Sequence, residues 1–275
     1  MTIYFAMLCG LIQGLTEFLP VSSSAHLILC ERMFNRGGFM PDVSFDALLH
    51  LGTLVAVCIV YRRELRGLVP AAWRVARKAL TFKLRLGECD TDERLVLFCF
   101  VSTLPLILAP LFDEKVEALR YYPKAVGVLL MVNGAALWFS DRLSSGNKRE
   151  KETRLPDALL VGAFQLAAVF PGISRSGATV TGGRICGFDR EYAVKYSFLL
   201  SIPAVVGANV FTLPDVFASS TDVSLLLPYS LGALAAALSG VAAMKLLIRI
   251  SKSSRFSAFA LYCVAAGLLT VLFIN

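Results

Sequence analysis

Six apolar runs, each about long enough to cross a bilayer, constrain this chain more than any other feature. They fall at residues 43–61, 95–112, 122–140, 193–213, 225–248 and 256–274. A backbone in hydrocarbon must satisfy its own hydrogen bonds, so runs of this length predict helices. The short alternating segments of a β-barrel are not found. Hydrophobic residues make up 56% of the 275 and charged residues only 17%, which excludes an ordinary soluble domain. The start of the chain has no basic stretch ahead of its apolar residues and no small-residue cleavage site, and is expected to be retained. None of the seven cysteines forms a C-x-x-C pair, and most lie in apolar segments. They are expected to be small core residues.

The formal net charge is +7, and its placement argues for membrane topology rather than a nucleic-acid partner. Nine Lys and Arg lie between 62 and 94, and five between 141 and 155. Lys245, Arg249, Lys252 and Arg255 separate the last two runs. The positive-inside rule puts these regions in the cytoplasm. The connection 214–224 has no Lys or Arg, carries Asp215 and Asp222, and is expected outside. The run 43–61 must then cross inward and the run 193–213 outward.

Each of those two runs follows a polar stretch broken by a proline. One is Gln13-Gly14-Leu15-Thr16-Glu17-Phe18-Leu19-Pro20-Val21-Ser22-Ser23-Ser24-Ala25-His26. The other is Pro171-Gly172-Ile173-Ser174-Arg175-Ser176-Gly177-Ala178-Thr179. Neither leaves room for a further full crossing, so both read as re-entrant helix–turn–helix hairpins entering from opposite sides. An offset of 151 pairs Pro20 with Pro171 and Ser23 with Ser174. The predicted fold is an all-α membrane protein of six transmembrane helices and two hairpins. It forms one membrane domain with an inverted repeat, approximately 1–140 and 156–275, and repeats of this kind place sites at their interface.

Ionisable groups at such depth mark function. Gln13 and Glu17 share a helix face, with oxygen donors suited to a divalent cation, Mg²⁺ or Ca²⁺. Ser22, Ser23 and Ser24 stand where a new helix begins, and could simply cap it. Two such helix starts meeting tip to tip would cradle a phosphate. Candidate phosphate-binding residues are Arg175, Ser174, Ser176, Thr179, Gly172 and Ser22, with the Arg175 guanidinium as a forked grip. Arg175 could instead be a structural partner of Glu17. His26 follows Ser23 by three residues, within reach on one turn. Asp46 and His50, four apart in the next run, are possible outer partners or plain packing.

The two polar stretches resemble the paired signatures of the undecaprenyl-diphosphate phosphatase family, also called bacitracin-resistance phosphatases. The segments Leu49-His50-Leu51-Gly52-Thr53-Leu54 and Tyr196-Ser197-Phe198-Leu199-Leu200-Ser201-Ile202-Pro203 are also similar, and the likeness runs along nearly the whole chain. Gln13 stands where many members have Glu, and Ala25 where Gly is commoner. The resemblance implies a metal-dependent enzyme of the bacterial plasma (inner) membrane. It would remove the terminal phosphate of a polyprenyl diphosphate to recycle the lipid carrier of cell-wall synthesis, with Glu17, Ser23, His26 and Arg175 at functional positions and a homodimer as a plausible assembly. Ser23 is then the expected nucleophile, with His26 or Glu17 as base. Attack by a metal-bound water needs the same groups and stays open. A lipid flippase is the rival from another class. A phosphatidic-acid-phosphatase type enzyme would need a His after Ser174-Arg175, and the chain has only His26 and His50.

Overall fold

Prolines and glycines decide where this chain turns and how closely its helices approach. A computed structural model describes residues 2–34, 43–143, 146–218, 223–253 and 256–274. Arg255 and residues 219–222 of the acidic connection lie outside the described residues. Every regular element among them is helical, apart from one isolated bridge between Lys148 and Phe188.

Helix α1 (Ile3–Phe18) ends at Leu19, which is extended, as a residue before proline prefers. After the turn, α2 (Ser23–Phe34) begins. Helix α3 (Val43–Val60) is followed by α4 (Arg62–Leu80), bent 100° away from it. The basic segment after residue 61 is therefore largely helical. Its Leu68, Ala71 and Val75 are buried, while Val69 and Trp73 are exposed. Glu93, in α5 (Thr91–Thr103), clamps α4 by accepting from Arg74 at 2.8 Å and Lys78 at 2.6 Å. Pro105 and Pro110 lack the N–H an α-helix needs, and α5 runs on as a 3-10 segment, Leu104–Phe112, into α6 (Asp113–Arg120). Helix α7 (Pro123–Arg142) starts on its proline.

The chain continues with α8 (Leu155–Ala167), a proline turn and α9 (Arg175–Ile185). Then come α10 (Arg190–Ala218), α11 (Val223–Ser253) and α12 (Ser257–Phe273). Among the described residues, four helical stretches are long and apolar enough to cross a bilayer: Thr91–Arg120, Pro123–Arg142, Arg190–Val210 and Ser224–Lys252. The bent pair α3–α4 would make a fifth, while α1, α8 and α12 are apolar but shorter. This is an all-α, multi-pass membrane protein.

The halves pack by exchange. Helix α1 lies along α11 and α8 lies along α5. Helix α7 lies along α12, and α3 packs on α10 and α11. Small residues make these approaches possible, as expected where lipid supplies no hydrophobic drive for helix association. A Cβ on Gly10 would stand 2.0 Å from the Gly232 carbonyl oxygen, and one on Gly52 2.3 Å from that of Ala233. Behind α1, the rings of Phe18 and Phe198 meet edge-on at 5.6 Å, and Phe198 meets Tyr61 at 6.1 Å.

Gly10→Leu is expected to push α1 off α11 and destabilise the protein by about 1–3 kcal/mol, because overpacking here meets backbone. Thermal unfolding in detergent checks this. Leu11→Phe, on the exposed side of the same helix, should leave the melting temperature unchanged.

Candidate active site

The two proline turns meet. Ser22 Oγ accepts the Gly172 N–H at 3.2 Å, and Ser176 Oγ donates to the Leu19 carbonyl at 3.2 Å. Between them stands Asn133 of α7, which donates to the Pro20 carbonyl at 3.0 Å and accepts from the Ser174 N–H at 3.1 Å. One side chain thus holds a backbone group of each turn. Gly172 has φ +108°, and a Cβ there would lie 2.6 Å from the Val126 carbonyl oxygen, so glycine lets the second turn sit against α7.

The cap geometry sets the register between the halves. Ser22 Oγ accepts from Ala25 N–H at 3.4 Å, and Ser174 Oγ accepts from Gly177 N–H at 3.1 Å. The equivalent caps are therefore 22 and 174, an offset of 152 rather than the 151 that aligns the prolines. The second turn holds one more residue between proline and cap. Ser23 and Arg175 become the matching first residues of α2 and α9.

Both reach the same carboxylate. Glu17 Oε2 accepts from Ser23 Oγ at 2.7 Å and from Gln13 Nε2 at 3.1 Å, while Oε1 accepts from Arg175 Nη2 at 2.6 Å. The Glu17 side chain is 6% exposed and that of Arg175 20%. Such a charge is tolerable only when paired and hydrogen-bonded. Arg175 thus pairs with Glu17, as the structural reading of the two residues expected, at the junction of the two turns. His50 joins them: its Nδ1 lies 3.1 Å from Gln13 Nε2 and 3.8 Å from Glu17 Oε1. Asp46 turns elsewhere and accepts from Arg120 at 3.0 Å.

The remaining candidates divide. Ser174 and Ser176 lie at the tip with hydroxyls 3.0 Å apart. Thr179 lies one turn down α9, where its hydroxyl donates to the Arg175 carbonyl at 2.8 Å and lies 2.7 Å from Ser197 Oγ, so it does not face Glu17. His26 is not hydrogen-bonded to Ser23. Its Nδ1 is 2.7 Å from the Ser22 carbonyl, which can only accept, so Nδ1 carries the proton. Neutral Nε2 then accepts from the Tyr262 hydroxyl at 2.6 Å, and the two rings stack within 9° of parallel. Of the two bases open to Ser23, the geometry brings Glu17 to it.

Gln13 Oε1 is buried and has no hydrogen-bond partner among the described residues. An unpaired amide oxygen beside a carboxylate suits a hard cation. No three His, Cys, Asp or Glu side chains gather as a metal cluster among the described residues.

Two helix starts, a guanidinium and a carboxylate gathered among bilayer-length helices define a multi-pass membrane protein fitted to an anion. The chain belongs to the family described as bacitracin resistance protein BacA, whose family model matches residues 6–269. It is 38% identical to the undecaprenyl-diphosphatase of Desulforapulum autotrophicum, over 99% of this chain and 98% of that one. It is 36% identical to that of Methanosphaera stadtmanae, over 97% and 96%. The figure for Methanobrevibacter smithii is 37%, over 98% and 96%.

Asn133 lies inside an apolar run and carries no motif, so sequence pattern passed it over. Asn133→Ala leaves the buried Ser174 N–H unpaired and the Pro20 carbonyl only the weak Cys263 thiol donor, and is expected to cost about 1–3 kcal/mol, read as a lower melting temperature. Ser24→Ala, exposed beside the same tip, should not move it.

Proposed function

We propose that Glu17, Ser23 and Arg175 are the core of a hydrolase that converts undecaprenyl diphosphate to undecaprenyl phosphate and inorganic phosphate. The reaction recycles the lipid carrier of cell-wall synthesis and underlies bacitracin resistance. The observation that carries the reading is the convergence of Ser23 and Arg175 on the two oxygens of Glu17, in a chain of this family.

In this reading Ser23 Oγ attacks the terminal phosphorus while its proton passes to Glu17 Oε2. The P–O bond to undecaprenyl phosphate breaks, and water then hydrolyses the phosphoserine and releases phosphate. A guanidinium has five donors, and one holds Glu17. The rest, with the N–H groups at the start of α9, face the oxygens that gain charge. Ser174, Ser176, Ser22 and Gly172 shape the tips, and Thr179 braces Arg175 from below. His26 positions the Ser22 carbonyl and hence the first tip. A Mg²⁺ or Ca²⁺ ion, when bound, would be held by Glu17 and Gln13 and supply charge neutralisation.

The proposal extends to topology: six transmembrane helices and two re-entrant hairpins, repeated in inverted order over about 1–140 and 156–275. Support comes from the exchanged packing of α1 on α11 and α8 on α5, and from the matching caps Ser22 and Ser174. The bacterial plasma membrane as compartment and a homodimer as assembled form are carried over from the family resemblance.

The test is phosphate release from undecaprenyl diphosphate in detergent. Ser23→Ala is expected to lose at least about 10²-fold in turnover, while Ser24→Ala keeps most of it. Folded Ser23→Ala with normal turnover would remove serine as nucleophile and leave water in its place.

Chelation is expected to abolish release, and added Mg²⁺ or Ca²⁺ to restore it. Undiminished turnover in chelator would confine Glu17 to proton transfer and ion pairing, and Gln13 to hydrogen bonding.

A further inference from the structure

Helix α3 links the candidate site to the bend with α4, and its outer face is not smooth. Leu51, Leu54, Val55, Cys58 and Ile59 line a concavity of about 470 Å³ that ends at Arg62. The hollow begins one residue past His50, the α3 side chain that reaches Gln13. Spacing of four residues puts His50, Leu54 and Cys58 on one stripe of α3, with Leu51, Val55 and Ile59 beside it. At 1.5 Å per residue, the stripe from His50 to Cys58 is about 12 Å long, and Arg62 lies past it, on α4 beyond the bend. Val55 is 50% and Ile59 48% exposed, so these side chains border the bilayer rather than another helix. The apolar floor is capped at its far end by a cation, where the chain turns through 100°.

We infer that this groove on α3 seats the isoprenoid tail of the substrate. The inference rests on the phosphatase reading and says where the rest of the lipid goes. The diphosphate is held by groups on α1 and α9, so the tail must leave past a neighbour of that pair. Proximity selects the path: His50 is 3.8 Å from Glu17, and Leu51, the first residue lining the hollow, is its neighbour in the chain. Burying apolar chain against fixed apolar side chains gives affinity that grows with the length seated. Arg62 sets the limit, since its guanidinium seeks the interface while its stem covers the last apolar contacts. The groove therefore selects for tail length, and its occupant is a prenyl chain.

The experiment compares undecaprenyl diphosphate with dimethylallyl diphosphate, whose single isoprene unit covers only the stretch nearest His50. Ile59→Trp fills the far part of the groove. It is expected to lower kcat/KM for the long substrate at least tenfold, mainly through KM, and to leave the short one unchanged. Leu54→Trp, near the mouth, should impair both. Leu261→Trp, on an exposed part of α12, should impair neither. A second measurement avoids any folding failure of these variants. Cys58 is an exposed free thiol in the groove. In folded Cys89→Ser protein, benzylmaleimide at Cys58 should reproduce the long-substrate defect, and Cys58→Ser should be insensitive to the reagent. Unchanged turnover of undecaprenyl diphosphate after modification, or an equal loss for both lipids from Ile59→Trp, would overturn the groove and leave it to bulk lipid. Absence of release from either lipid by the unmodified protein would defeat the phosphatase reading, and the groove with it.

Discussion

The Glu17 carboxylate is the constraint on which the rest of this structure depends. A lone carboxylate inside a bilayer-spanning protein would be strongly destabilising. It survives here because each oxygen is met by the first residue of a half-helix, Ser23 for one and Arg175 for the other. Those residues lie in different halves of the chain, so ion pairing and assembly of the halves are one event. Asn133 fixes the same junction through backbone groups.

The pairing also explains why the helices stop where they do. Proline cannot continue a helix. A break at depth leaves free N–H groups at the start of the next segment, and these must be satisfied or used. Ser22 and Ser174 satisfy one each. The chain spends two interrupted helices to make one polar pocket without exposing backbone to lipid.

Much of this was legible in the sequence because the physics of the bilayer writes in long strokes. Apolar runs gave the helices, and the prolines at 20 and 171 gave the turns. A carboxylate and a guanidinium in apolar surroundings announced each other. What escaped was set by contact rather than composition. Asn133 acts through two backbone groups distant in sequence, and no local pattern encodes that. His50 looked like a helix-face partner of Asp46, yet the helix turns it toward Gln13 and gives Asp46 to Arg120. His26 sits close to Ser23 along the chain, but its ring is captured by Ser22 and Tyr262. The offset of 151 follows the prolines, whereas the fold follows the caps. The helicity of α4 was hidden because its basic residues register first as charge.

The aromatic rings behind α1 carry a consequence of a different kind. Phe18 adjoins Glu17 in sequence, Phe198 touches Phe18, and Tyr61 touches Phe198. Tyr61 in turn lines a polar cavity of about 300 Å³ together with Glu64, Glu150, Lys195 and Lys252. The three rings thus make one contact path from the helix that carries Glu17 to this cavity. Moving one charge through the voltage of a bilayer is worth about 2.3 kcal/mol per 100 mV, and any continuous file of water would let protons collect it. Phe18 and Phe198 give such a file no hydrogen-bonding group to follow, so this contact insulates rather than conducts.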